Sequence, residues 1–331
     1  MHAEVGESVK RIAYLDTNIY SVIAEQDEAA SVRDLLRSRG WDAMASSLNI
    51  LEAWAISSEP KRRRVIRALT TVASCYEKVP QSYSTARELL YELRRRRPGW
   101  VRSVAFDRTT RAFLKNNQEH WRCSLRRELP PSESNATYRR VAGATNEHIL
   151  VSQKALRRGI HLAESPPKLG IISAGKLRTV DVDLSDPETF WRVESMNTWH
   201  LAIVHEHPGI RDYRDYLAPH LKREAFLNTA SYQDFWLREA EADHLPLNRI
   251  IGLTAYAQLA QKITRGNNDD RQHGSYLPSA DIFVTADRGL FQCLEWVVQR
   301  VETRATPRLV DAGAASTCRE IELVLDAHEP V

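Results

Sequence analysis

Two short apolar runs along this chain stop abruptly on hydroxyl and acidic residues. In "RIAYLDTNIYS" the stretch Ile12 to Leu15 gives way to Asp16, Thr17 and Asn18. In "DIFVTADRGL" the stretch Ile282 to Val284 ends on Thr285, with Asp281 before it and Asp287 just after. Apolar runs this short, bounded by turn residues, predict buried strands. After the first, "IYSVIAEQDEAASVRDLLRSRG" repeats apolar residues at Val22, Ile23, Val32, Leu35 and Leu36, which predicts a helix stopped by Gly40. "DAMASSLNILEAWAISSEP" predicts a brief strand, a serine cap at Ser46 or Ser47, and a helix ending before Pro60. Glu52 then falls in the first or second turn of a helix that follows a strand.

From 61 to about 240 the spacing is mainly helical, with breaks at Pro98-Gly99, Pro130-Pro131 and Pro166-Pro167. Residues 169 to 184 are ambiguous and admit a strand. "LPLNRIIGLTAYAQLAQKI" (245 to 263) predicts a helix, and "DDRQHGSYLPSA" places Asp270, His273 and Leu277 at helical spacing before the strand at 282 to 285. Strands alternating with helices predict an α/β fold with a mostly parallel sheet, whose ligands sit at the carboxyl ends of strands. Asp16 and Asp287 each stand just past such an end.

Composition (43% hydrophobic, 27% charged, 8% aromatic) fits a soluble globular protein. No apolar run reaches bilayer-spanning length and "MHAEVGESVKR" lacks a signal-peptide core, so a cytoplasmic location without membrane attachment is expected. Cys75, Cys123, Cys293 and Cys318 are scattered, which argues against a zinc cluster or a disulfide framework. The net charge of +3 hides an asymmetry: residues 61 to 160 hold 23 Lys and Arg against 8 Asp and Glu, a surplus of 15, which leaves −12 on the rest. That polarity predicts a polyanion-binding surface on "KRRR" (Arg62, Arg63, Arg64) and "RRRR" (Arg94, Arg95, Arg96, Arg97), beside a carboxylate-rich region. The plain alternative is two solvated helix faces. "HLAIVHEHPG" lacks HExxH spacing, and there is no Walker loop, GxGxxG or GxSxG. The tryptophans suit helix interfaces.

Three patches, "YLDTN" (14 to 18), "SSLNILEAW" (46 to 54) and "NDDRQHGSYLPSADIFVTADRGL" (268 to 290), together resemble the PIN-domain nucleases. The resemblance implies a PIN-like three-layer fold formed by about 10–110 and 241–325, with 111–240 as a helix-rich insertion or subdomain. It implies Asp16, Glu52, Asp270 and Asp287 as catalytic acids holding Mg²⁺ or Mn²⁺. Asp269 competes with Asp270, and a different alignment would put Asn248 at that position. Asn18 is expected to orient a carboxylate, Thr285 to hold the Asp287 turn or bond a phosphate, and His273 to support Asp270 from the same helix face. Asp281, ahead of its strand, suits a structural role.

The chemistry is coherent. Hard cations take carboxylate oxygen and water, and clustered acids repel one another unless a cation neutralises them. A bound metal makes a nucleophile of water, which suits phosphodiester hydrolysis. The resemblance implies single-stranded RNA as substrate, with single-stranded DNA cleavage or a catalytically silent RNA-binding or adaptor role as alternatives. Family members act as toxins, RNA-processing enzymes and phage-defence effectors, so an antitoxin or regulatory partner is an open expectation, as is a homodimer. Taken singly, each feature also has an ordinary reading: Asp16-Thr17-Asn18 as a helix cap, "TADRG" as a turn, Glu52 as a surface residue.

Overall fold

A computed structural model describes residues 11–77, 79–102, 168–173, 176–206, 210–261 and 267–328. The first half runs β1 (Arg11–Leu15), α1 (Thr17–Gln26), α2 (Ala29–Ser38), β2 (Trp41–Ala45), α3 (Ser47–Ala55), α4 (Glu59–Val72), β3 (Cys75–Tyr76) and α5 (Gln81–Arg96). A hairpin of β4 (Lys168–Ser173) and β5 (Lys176–Asp181) leads to α6 (Pro187–Ile203), α7 (Arg211–Leu217), α8 (Arg223–Leu227), α9 (Thr229–Asp234) and α10 (Pro246–Leu259). The chain closes with α11 (Asn267–His273), β6 (Ile282–Thr285), α12 (Arg288–Val298), β7 (Thr306–Leu309) and α13 (Thr317–Asp326).

Five strands form one all-parallel sheet in the order β3-β2-β1-β6-β7. The chain steps outward from β1 to β3, then returns to the other side of β1 with β6. Where strand order reverses, the connections leave toward opposite faces and open a crevice at the carboxyl ends. Here that point lies between β1 and β6, paired in register through Leu15 and Val284. Asp16 and Thr285 therefore flank it.

Alternation along the central strands sorts residues between two cores. Ala13, Leu15, Ile282 and Val284 face one, with Ile19 and Tyr20 of α1, Val32 of α2, Val65 and Leu69 of α4, and Ile321 of α13. Tyr14, Met44 and Phe283 face the other, with Leu89 of α5, Trp191 and Trp199 of α6, Leu253 of α10 and Leu294 of α12. The result is a helix–sheet–helix α/β architecture. The helices from 187 onward, which fall within the expected helix-rich insertion or subdomain, share this second core with the sheet. Residues 103–167 lie outside the described residues. No helix among the described residues is long and apolar enough to cross a membrane.

The elements differ from expectation at a few places. The long helix before Gly40 is two helices, broken at Asp27, whose backbone is left-handed (φ 57°). Gly40 itself has φ 71°, the conformation its stop role needs. Pro60 does not lie beyond a helix end alone; it sits in the first turn of α4, where its missing N–H costs nothing. Trp100, Trp191, Trp199 and Trp236 all belong to the helical core or pack against it, in keeping with interface filling.

Candidate metal centre

Asp16 is the N-cap of α1: its Oδ1 accepts the backbone N–H of Thr17 at 2.6 Å, so the cap and the candidate acid are the same side chain. Its Oδ2 is held by two donors, Asn18 Nδ2 (2.6 Å) and the Thr285 hydroxyl (2.8 Å). Thr285 also accepts Asn18 Nδ2 (3.1 Å) and the backbone N–H of Asp287 (3.0 Å), while Asn18 Oδ1 accepts Ala286 N–H (3.0 Å). Asn18 and Thr285 thus lock the two strand ends together and fix the Asp16 carboxylate.

Glu52 arrives from α3, whose start is set by a capping box between Ser46 and Asn49. Its Oε2 accepts the Thr17 hydroxyl and lies 2.9 Å from His273 Nε2. His273, the last residue of α11, is buried; its Nε2 is also 3.4 Å from Asp16 Oδ1, and its Nδ1 is 2.7 Å from the Tyr14 hydroxyl. Asp16, Glu52 and His273 each offer a ligand atom, all within 4.8 Å of one another. His273 is therefore at the centre of the site, bridging Asp16 and Glu52, rather than a helper of Asp270 alone. The i, i+3 spacing from Asp270 marked the right face; its partners lie far away in sequence.

Asp270 is half-buried and close enough to feel Asp16, Asp287 and Glu52. Burial, with Asp16 adding to it, pushes its carboxyl up to about 8. Burial likewise raises Asp16, opposed by His273 and reinforced by Glu52. For Glu52 burial is outweighed by the His273 ring and the Thr17 hydroxyl, which hold its carboxyl below the usual value. Burial opposes charge on His273 as well, but Glu52 and Asp16 more than offset it and push the imidazole up to about 10. The pattern is that of a crowded anionic pocket in which a positive charge is strongly favoured.

Asp287 is exposed and caps α12 through Oδ1, which accepts Leu290 N–H at 2.9 Å; it flanks the Asp16–Glu52–His273 set without belonging to it. The side chain of Asp269 lies outside the described residues. Asn248 is placed elsewhere, buried between α5, α6 and α10, where it accepts Trp199 Nε1 (2.8 Å) and donates to Glu88 (3.1 Å) and to the Thr85 carbonyl (3.3 Å). Asp281 stands at the opposite end of β6, accepting Ile12 N–H (2.7 Å) and pairing with Arg304 (2.6 Å), a structural clamp.

The two arginine runs are partly engaged within the fold. Arg62 is buried and donates to the Ile56 carbonyl, and Arg63 pairs with Glu59. Arg95 and Arg96 pair with Glu92 and Glu241, and Arg97 with Glu239. Arg64 and Arg94 are exposed. The helices that carry the runs, α4 and α5, pack into different cores on opposite faces of the sheet.

The donor set fits a divalent cation. With metal–oxygen bonds of about 2.1 Å, adjacent ligands stand roughly 3 Å apart, and His273 Nε2 lies 2.9 and 3.4 Å from its carboxylate neighbours. No family model, curated protein or solved structure matches this chain.

Proposed function

We propose that this chain is a metal-dependent phosphodiesterase, an endoribonuclease acting on single-stranded RNA through a PIN-like centre. The observation that carries the reading is the meeting of Asp16 and Glu52, from two separate strand–helix units, at the point where strand order reverses. Capping of α1 occupies Asp16 Oδ1 and Glu52 takes no part in capping α3, so bringing the two acids together is not required by either helix, and burial works against their charge. A bound Mg²⁺ or Mn²⁺ would supply a water nucleophile at neutral pH and offset phosphate charge. Asp16, Glu52 and His273 would hold it, with Asp270 and Asp287 at the rim of the pocket.

The protein's own contribution is orientation. Asn18 and Thr285 fix one carboxylate and Thr17 the other, so little rearrangement is needed when a phosphate arrives. RNA is chosen on the resemblance alone. The test is cleavage of matched single-stranded RNA and DNA oligonucleotides in Mg²⁺ or Mn²⁺, with and without chelator. Chelator-sensitive internal cleavage of RNA supports the reading; cleavage of DNA alone moves it to the DNA nuclease, and tight RNA binding without cleavage moves it to a silent RNA-binding protein.

A further inference from the structure

The hydrogen bonds around His273 fix the role of its Nδ1. Asn49 Nδ2 donates to the Leu15 carbonyl (3.2 Å), and Asn49 Oδ1 accepts Ser46 N–H (3.0 Å). Flipping that amide would set donor against donor and acceptor against acceptor, so backbone groups fix its orientation. Ser46 Oγ accepts Asn49 N–H (3.1 Å) and lies 2.9 Å from Asn49 Oδ1, an atom that can only accept. The single Ser46 hydroxyl proton therefore points to Asn49. Ser46 Oγ must then accept from the Tyr14 hydroxyl (2.9 Å), and the Tyr14 oxygen in turn accepts from His273 Nδ1 (2.7 Å). Nδ1 therefore keeps its proton, and Nε2, turned toward Asp16 and donating to Glu52 Oε2 (2.9 Å), is the nitrogen left to release its proton to solvent when a cation binds.

We infer that His273 Nε2 is a direct metal ligand, making a mixed nitrogen–oxygen centre that favours Mn²⁺ over Mg²⁺. This rests on the metal centre proposed above and gives it a selectivity. Mg²⁺ binds reluctantly to anything but oxygen, whereas imidazole is accepted by transition metals. A ligating histidine is normally oriented by a hydrogen bond from its other nitrogen, and the Tyr14–Ser46–Asn49 relay is such a support. Two of its members, Ser46 and Asn49, are the capping box of the helix that carries Glu52, so the same local structure positions two ligands.

The experiment is pulsed EPR on the full chain loaded with Mn²⁺, reading hyperfine coupling to ligand nitrogen. The wild type is expected to show nitrogen coupling that changes on ¹⁵N-histidine labelling and is lost in His273→Gln. Labelling decides the point even where the substitution prevents folding. Calorimetric titration supplies the second measurement: loss of an outer partner of a ligating histidine costs about 10- to 100-fold in metal affinity, so Tyr14→Phe is expected to weaken Mn²⁺ in that range and Mg²⁺ by less. Bound Mn²⁺ without nitrogen coupling overturns this inference and leaves a carboxylate centre in place; coupling unchanged in folded His273→Gln does the same. Failure to bind Mn²⁺ at all overturns the metal centre itself.

Discussion

At the residue scale, one buried hydroxyl carries a surprising share of the organisation. Thr285 donates to Asp16, accepts from Asn18 and receives the backbone N–H of Asp287, so three polar groups depend on it. Thr285→Val preserves shape and removes every one of those bonds; Asp16 and Asn18 keep their bond to each other, and the part-buried Asp287 N–H loses its partner, at a cost of roughly 1–3 kcal/mol. A lowered denaturation midpoint with weakened cleavage is expected, and Thr285→Ser should restore both. Part of this was legible in the sequence: the cap at Asp16 forms, and the same carboxylate is also brought beside Glu52, because a cap needs only one carboxylate oxygen. The position of His273 was not. Its bonds to Tyr14 and Glu52 span 259 and 221 residues, and local spacing has no means of revealing such partners.

At the scale of elements, α10 begins at Leu245 with no capping side chain of its own. Glu88 of α5 does that work, accepting the N–H groups of Leu247 (3.0 Å) and Asn248 (3.3 Å). Burial raises the Glu88 carboxyl from 4.5 to about 7 despite those bonds. A raised acid stabilises the fold fully below its unfolded value, and that contribution is lost as pH rises through the folded one. Between about pH 5 and 7.5 the wild type should therefore lose stability relative to Glu88→Gln, measured as the difference in denaturation midpoints; a difference that does not vary with pH would count against the assignment. Gly252 makes a second prediction. A Cβ there would lie 2.6 Å from that of Trp191, where α10 crosses α6, so Gly252→Ala should destabilise by about 1–3 kcal/mol despite alanine's better helix propensity.

The strands legible in the sequence were the central ones, β1, β2 and β6, whose burial on both faces gives short continuous apolar runs. The edge strands were missed for a physical reason: β3 is only Cys75–Tyr76, and β7 carries Pro307, a residue edge strands tolerate and central ones do not. The α1–α2 break escaped notice because apolar spacing runs through it, while the turn depends on a single left-handed residue, Asp27.

At the scale of the whole molecule, the sequence showed where positive charge is concentrated but not how much of it is already neutralised. Glu92, Glu239 and Glu241 absorb Arg95, Arg96 and Arg97, and the two arginine-bearing helices lie on opposite faces of the sheet. Arg96→Ala should thus affect stability more than RNA affinity. Arg64→Ala, by contrast, should reduce the slope of log affinity against log salt by about 1 if the α4 face carries the backbone; an unchanged slope would remove that face from the path of the nucleic acid.

The central claim, that acids from distant strand ends share one hydrolytic centre, is tested most directly by cleavage of end-labelled single-stranded RNA in Mn²⁺ by the wild type beside Asp16→Asn. The account predicts a folded variant, judged by its thermal midpoint, with cleavage reduced at least about 100-fold, the scale on which loss of one positioned charge-stabilising group acts. Equal cleavage by the two proteins would contradict it.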